Sequence, residues 1–243
     1  MFEVPWSEYT GALLQGLLRT LEYAALGFAG AVVLGLLLAL LRMSGLRLVR
    51  LPATVYTEVF KNIPLLAIIF VTYFGLTSIG IRLGTVEAGA LSLVIFYGAY
   101  LSEIFRAALA GVQAGQLESA QALGMSPAGA FAHVILPQAL RLALPGTSTM
   151  LVDLLKSTSL LVTISAAELM TQAQLITSDT FRALEVYLVI AAIYFALCYP
   201  LSQALLWLER RIRAGTPLLP GRRRRLRKAR ALLASVDQAV EAS

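Results

Sequence analysis

The chain has 243 residues, of which 58% are hydrophobic and only 14% charged, against about 25% charged in a soluble domain. So few charges cannot cover a water-exposed globule of this length, and the composition points to a membrane. The net charge of +6 is uneven: residues 209–230 hold ten Lys/Arg against one acid, and the remainder carries −3. This is an apolar body with a basic tail, not a basic nucleic-acid-binding protein.

The first nine residues contain two acids and no Lys or Arg, the wrong start for a cleavable signal peptide. The first apolar segment is therefore expected to be retained. A spanning helix needs about 20 mostly apolar residues. Residues 23–41 are uncharged, with Gly27, Ala31, Gly35 and Ala39 recurring every fourth position. Such a stripe lets a second helix approach closely, although glycine is common in membrane helices generally. Further spans are expected over 62–81, 88–102, from about 144 through a stretch interrupted by Asp153, Lys156 and Glu168, and over 186–208, where Pro200 predicts a kink. That makes an all-α membrane protein of five spans.

Lys and Arg accumulate on the cytoplasmic side. With the loop after the first span inside, that side holds fifteen of them and the outside three, namely Arg19, Arg82 and Arg182. The N-terminus is then outside and the C-terminus inside, which requires an odd number of spans. The expected division is an outer N-terminal segment 1–19, a transmembrane domain 20–212 with a cytoplasmic loop 107–140, and a basic tail 213–243.

That loop has a readable shape. Residues 117–123 read as helix, Gly124 suits a left-handed C-cap, and Ser126-Pro127 restarts a helix that Pro137 limits. Helix, turn, short helix and stop at the cytoplasmic face fit docking to a cytosolic partner; an amphipathic helix on the lipid surface is the other reading.

Three acid–base pairs recur at three-residue spacing: Glu58/Lys61, Glu103/Arg106 and Asp153/Lys156. On a helix such side chains are neighbours, and a formally neutral pair is cheaper at membrane depth. The two shallow pairs read first as interfacial anchors and helix packing. Asp153 and Lys156 lie deeper and read as part of a passage, with Ser157, Thr158 and Ser159 adding three hydroxyls in the same turn. Such groups bind the carboxylate and ammonium of an amino acid, or support a partly unwound segment. Glu168 reads equally as a gate or as a wet helix end. One Cys (Cys198) and one His (His133) exclude a disulfide framework and a zinc site, and no metal site is expected.

The segment Glu118-Ser119-Ala120-Gln121-Ala122-Leu123-Gly124, followed after nine residues by Val134-Ile135-Leu136-Pro137, resembles the EAA motif of ABC importer permeases. Ser119 and Val134 depart from its usual residues, but the spacing is intact. Four further segments are similar to polar amino-acid permeases: Tyr56-x-Glu58-x-x-Lys61-Asn62-Ile63-Pro64, Ala99-Tyr100-x-x-Glu103-x-x-Arg106, Gly115-Gln116-x-Glu118 and Lys156-Ser157-Thr158-Ser159-Leu160. Here Lys61, Ile63 and Ser157 replace the usual Arg, Thr and Asp.

The resemblance covers roughly residues 12–212 and implies a type I ABC importer transmembrane domain (MetI-like) in the bacterial inner membrane. Its implied partners are a second permease chain, two ATP-binding cassette subunits, an extracytoplasmic amino-acid-binding protein and membrane lipids. Residues implied to dock the ATPase are Glu118, Ser119, Ala120, Gly124, Met125, Ser126, Pro127, Leu136 and Pro137. The substrate-pathway set is Asp153, Lys156, Ser157, Thr158, Ser159 and Glu168, with Glu58, Lys61 and Glu103 as outlying members. None of the three lysines, Lys61, Lys156 and Lys228, sits in a phosphate-binding G-x-x-x-x-G-K-[ST] loop. The chain is therefore expected to be non-catalytic and to bind no cofactor, with ATP-Mg held by the partner subunit. An ion-coupled secondary amino-acid carrier is the alternative; it leaves the spacing of the 118–137 motif without a reason.

Overall fold

A computed structural model describes residues 4–213; the basic tail expected at 213–243 lies, apart from the backbone of Arg213, outside the described residues. The described residues are helical, with no strands. α1 (Trp6–Met43) is followed by α2 (Arg47–Lys61), α3 (Leu65–Ser78), α4 (Thr85–Ala110) and α5 (Ala114–Ala122). Then come α6 (Pro127–Ile164), α7 (Leu169–Thr180) and α8 (Ala183–Arg213). Three helices, α1, α4 and α8, are individually long and apolar enough to cross a membrane. The number rises to five if the bent pairs α2–α3 and α6–α7 each count as one span.

α1 is the longest of these, with 38 residues, about 57 Å at 1.5 Å per residue. Residues 6–19 of the expected outer segment 1–19 are the first turns of α1. The segment contains no breaker after Pro5, and its apolar side chains have a surface to cover: Val4, Trp6, Tyr9 and Leu13 pack with Leu169, Ala173, Ile176, Val186 and Ile190 of α7 and α8.

The small-residue stripe predicted in α1 is the α4 contact. Ala31 and Ala39 are fully buried, and a Cβ added at Gly27 would lie 2.9 Å from Cβ of Leu93. At Gly35 it would lie 2.7 Å from Cβ of Leu101 and 3.1 Å from the Ser102 amide nitrogen. Close approach of two helix backbones needs this absence of side chain. Around the contact lies the larger core, which includes Tyr23, Leu65, Ile69, Leu93, Tyr97, Leu101, Leu154 and Leu161.

The expected second span, 62–81, is not a simple rod. α2 and α3 meet at a 108° bend, and only the 14 residues of α3 follow it. Pro64 excludes the helical conformation from the residue before it and becomes the cap of α3 with ψ 136°. Two tyrosines fasten α2 to α4: Tyr56 donates to the Ile95 carbonyl and Tyr100 to the Lys61 carbonyl, each at 3.1 Å.

Pro137 does not stop a helix. α6 runs through it, and a π-turn over Phe131–Ile135 absorbs the distortion, with the Leu136 amide reaching back to the Phe131 carbonyl. Proline removes the donor that His133 would meet in an α-helix; widening the preceding turn lets the helix continue. α8 is likewise one helix through Pro200. The chain divides into two compact units after Ser202. In the described part of the second, the Arg211 guanidinium sits 4.3 Å from the Trp207 ring centroid.

Candidate functional site

Two polar regions stand out, and α6 carries both. The first is the turn from α5 into α6. Gly124 adopts φ +81°, the left-handed conformation that only glycine takes without strain. Around it the Met125 amide bonds to the Ala120 carbonyl at 3.1 Å and the Gly124 amide to the Gln121 carbonyl at 2.9 Å. This paired closure ends a helix without orphan carbonyls. Ser126 then caps α6: its hydroxyl accepts from the Gly129 amide at 3.1 Å, with Pro127 in the first turn. Gln138 fixes the two helices together, donating to the Gln116 side-chain oxygen at 3.1 Å and to the Val134 carbonyl at 3.0 Å.

The turn presents an open face. Glu118, Ser119, Gly124, Ser126, Pro127 and Pro137 are exposed, whereas Ala120 is buried and Met125 and Leu136 are half-buried. Leu123, which the sequence reading passed over, is 85% exposed at the tip. Its signal was an apolar residue immediately before the capping glycine.

The second region is the far end of α6. Asp153 and Lys156 are both exposed on this chain, yet they form no ion pair with each other. Asp153 is instead held from α4, where Tyr97, 1% exposed, places its hydroxyl 2.8 Å from Asp153 Oδ2 and 2.8 Å from Ser157 Oγ. Beyond Ser157 the helix tightens to a 3-10 turn over Thr158–Ile164. Ser165 then takes φ 55° and the chain breaks before α7.

The three hydroxyls of this turn do not act together. Thr158 is fully buried and donates to the Leu155 carbonyl at 2.8 Å, so it faces the core and not a passage. Ser159 donates to the Lys156 carbonyl at 2.7 Å. Lys156 and Ser159 line a cavity of about 500 Å3 with Met170, Tyr187, Ile190, Ala191 and Tyr194.

Glu168 is not an exposed helix end. It is 0% exposed and caps α7, accepting from the Met170 amide at 2.9 Å and the Thr171 amide at 2.8 Å. Tyr194 donates to it at 3.1 Å. Four free amides at a helix start attract an acceptor, and the Glu168 carboxylate supplies it for two of them.

Of the two shallow pairs, Lys61 donates to Glu58 at 3.2 Å, with Glu58 exposed. Glu103 bonds to Arg106 as its spacing predicted, and also to Arg42 at 2.7 Å. Arg42 is the end of α1 locked onto α4; its guanidinium also reaches Ser102 Oγ at 3.3 Å. Among the described residues no cluster of His, Cys, Asp and Glu could hold a metal ion.

With this geometry in view, the relationships to known proteins are specific. Residues 31–214 match the family described as "Binding-protein-dependent transport system inner membrane component". The probable glutamine ABC transporter permease protein GlnM of Bacillus subtilis is 36% identical over 199 residues, 82% of this chain and 92% of that protein. The glutamine transport system permease protein GlnP of Escherichia coli K12 is 36% identical over 203 residues, 83% and 93% of the two chains. A crystal structure of an amino acid ABC transporter with histidines superposes with a TM-score of 0.81 at 36% identity, covering 87% of this chain and 99% of that one. An inward-facing MetNI methionine ABC transporter shares the fold, with a TM-score of 0.68 at 19% identity. The chain belongs to the binding-protein-dependent transport system inner membrane components: it is a multi-pass permease subunit of an ABC importer.

Proposed function

We propose that the chain forms half the translocation pathway of an ATP-driven importer of polar amino acids in a bacterial inner membrane. A second permease chain, either a copy or a paralogue, supplies the other half. Two ATP-binding cassette subunits holding ATP-Mg dock at the exposed turn, and an extracytoplasmic binding protein delivers the amino acid. The chain itself does no chemistry. The substrate class rests on the amino-acid and glutamine permeases that resemble the chain over most of its length.

One observation carries the mechanism. The exposed turn at Gly124 and the polar residues Asp153 and Lys156 are joined by an uninterrupted helix, α6. From Pro127 to Asp153 is about 39 Å at 1.5 Å per residue. Closure of the ATPase pair would push on the α5–α6 turn, and α6 would carry that displacement to the passage. An ion-coupled carrier has no use for a capped, exposed turn of this kind.

Gly124→Val tests the proposal. A β-branched residue at φ +81° is strained by roughly 1–3 kcal/mol, so the turn would reshape while the spans remain. Nothing lies within 4 Å of the added Cβ, which leaves backbone conformation as the whole effect. The variant is expected to insert and to lose ATPase stimulation by the loaded binding protein. Normal stimulation would overturn the assignment of the docking turn.

A further inference from the structure

The hydroxyl of Tyr97 touches two side chains but owns one proton. A carboxylate only accepts, so the Tyr97 hydroxyl donates to Asp153 Oδ2 at 2.8 Å, with Ser157 Oγ at the same distance from that hydroxyl. The other carboxylate oxygen of Asp153 receives no hydrogen bond from the described residues, and the side chain is exposed. Lys156, three residues on, forms no ion pair with it.

The anchor of this contact is rigid. Tyr97 belongs to the main core with Leu93, Leu101, Leu154 and Leu161. Its ring stands edge-on to Phe96 at 5.1 Å between centroids, and it is nearly inaccessible. The ring cannot swing out, so its hydroxyl is a fixed point on α4, and one oxygen of Asp153 is pinned to it. The remaining oxygen is presented in a constant direction on the open side of α6.

We infer that Tyr97 is a positioning residue: through its hydrogen bond to Asp153 it holds a free carboxylate oxygen toward the passage, where it accepts the ammonium group of the transported amino acid. The permease would then select for a charged ammonium independently of the binding protein. This inference rests on the proposal that Asp153 borders the passage. A hydrogen bond to a charged group is worth more than a neutral one, so losing the tyrosine hydroxyl should loosen the carboxylate without emptying the core.

The test measures binding to the purified permease–ATPase complex in nanodiscs, with the binding protein omitted. The probes are L-glutamine, L-histidine and L-arginine, each beside its N-acetyl derivative, which lacks the charged ammonium. Wild type should prefer the free amino acid of at least one pair, and Asp153→Asn should erase that preference. Tyr97→Phe keeps the ring and should reduce the preference about tenfold. The double variant should match Asp153→Asn alone, because Tyr97 acts through that carboxylate. Ser157→Ala should give a smaller change of the same sign. A merely structural role for Tyr97 would weaken both members of a pair equally and leave their ratio unchanged.

If Asp153→Asn erases the preference and Tyr97→Phe leaves it intact, the inference about Tyr97 is overturned while the passage stands. If Asp153→Asn leaves the preference intact, or wild type shows none, Asp153 is not at the passage and both readings fall.

Discussion

Four donors reach the Glu168 carboxylate: the amides of Met170 and Thr171 and the hydroxyls of Thr171 and Tyr194. Glu168→Ala removes this acceptor, and with it the partner of the Met170 and Thr171 amides. A buried polar group left unsatisfied costs about 1–3 kcal/mol, and a lost N-cap about 1 kcal/mol. Glu168→Ala should therefore lower the unfolding temperature of the purified complex in detergent by several degrees, and Glu168→Gln, which keeps one acceptor oxygen, by less. Equal stability of the alanine variant would show that this end of α7 is hydrated after all. At this scale, local rules were legible and long-range ones were not. Gly124 and Ser126 announce their roles through neighbours one to three residues away. The partners of Glu168, Asp153 and Glu103 lie on other helices, at Tyr194, Tyr97 and Arg42, and a single sequence does not pair distant residues. The three-residue spacing of Asp153 and Lys156 suggested an ion pair, but a tyrosine reaching across from α4 took the acid first.

Helices meet through small residues in this protein, and the cost of enlarging one depends on what stands opposite. A Cβ at Gly35 would crowd the Ser102 amide nitrogen at 3.1 Å, and backbone cannot move aside as the end of a side chain can. At Gly11, on the same helix, nothing lies within 4 Å. Gly35→Leu is expected to reduce the amount of intact complex recovered from membranes severalfold, with Gly11→Leu at wild-type level. Equal recovery of the two would remove the stripe from the account of packing. The stripe's spacing was visible in the sequence; its partner was not. The same limit applies to proline. In the sequence Pro137 reads as a stop and the span over 62–81 as unbroken at Pro64, yet Pro64 sits at a 108° bend and Pro137 inside a helix that continues through a π-turn. At Pro137, α6 is braced by Gln138 bonding to Gln116 of α5.

Over the whole molecule, hydropathy gave the class of fold, and the bends set its detail. In α3 the hydroxyls of Thr77 and Ser78 bond back to the Tyr73 and Phe74 carbonyls of their own helix. The orientation argued from Lys and Arg has a direct check. Leu123→Cys, at the tip of the docking turn, should react with a membrane-impermeant maleimide in inverted vesicles and not in intact spheroplasts. Ile79→Cys, 72% exposed in the link between α3 and α4, should behave oppositely. The native Cys198 is buried and should contribute little background. Labelling of Leu123→Cys from outside would invert the topology.

The uninterrupted course of α6 carries a thermodynamic obligation. If one rigid element reports the state of the docking turn to the passage, the coupling free energy between the two sites belongs to both. Whatever factor ATPase closure applies to the affinity of the passage for its amino acid, occupancy of the passage must apply the same factor to the affinity of the closed ATPase for the turn. An amino acid resting beside Asp153 would then be an effector of the engine beneath it as well as its cargo.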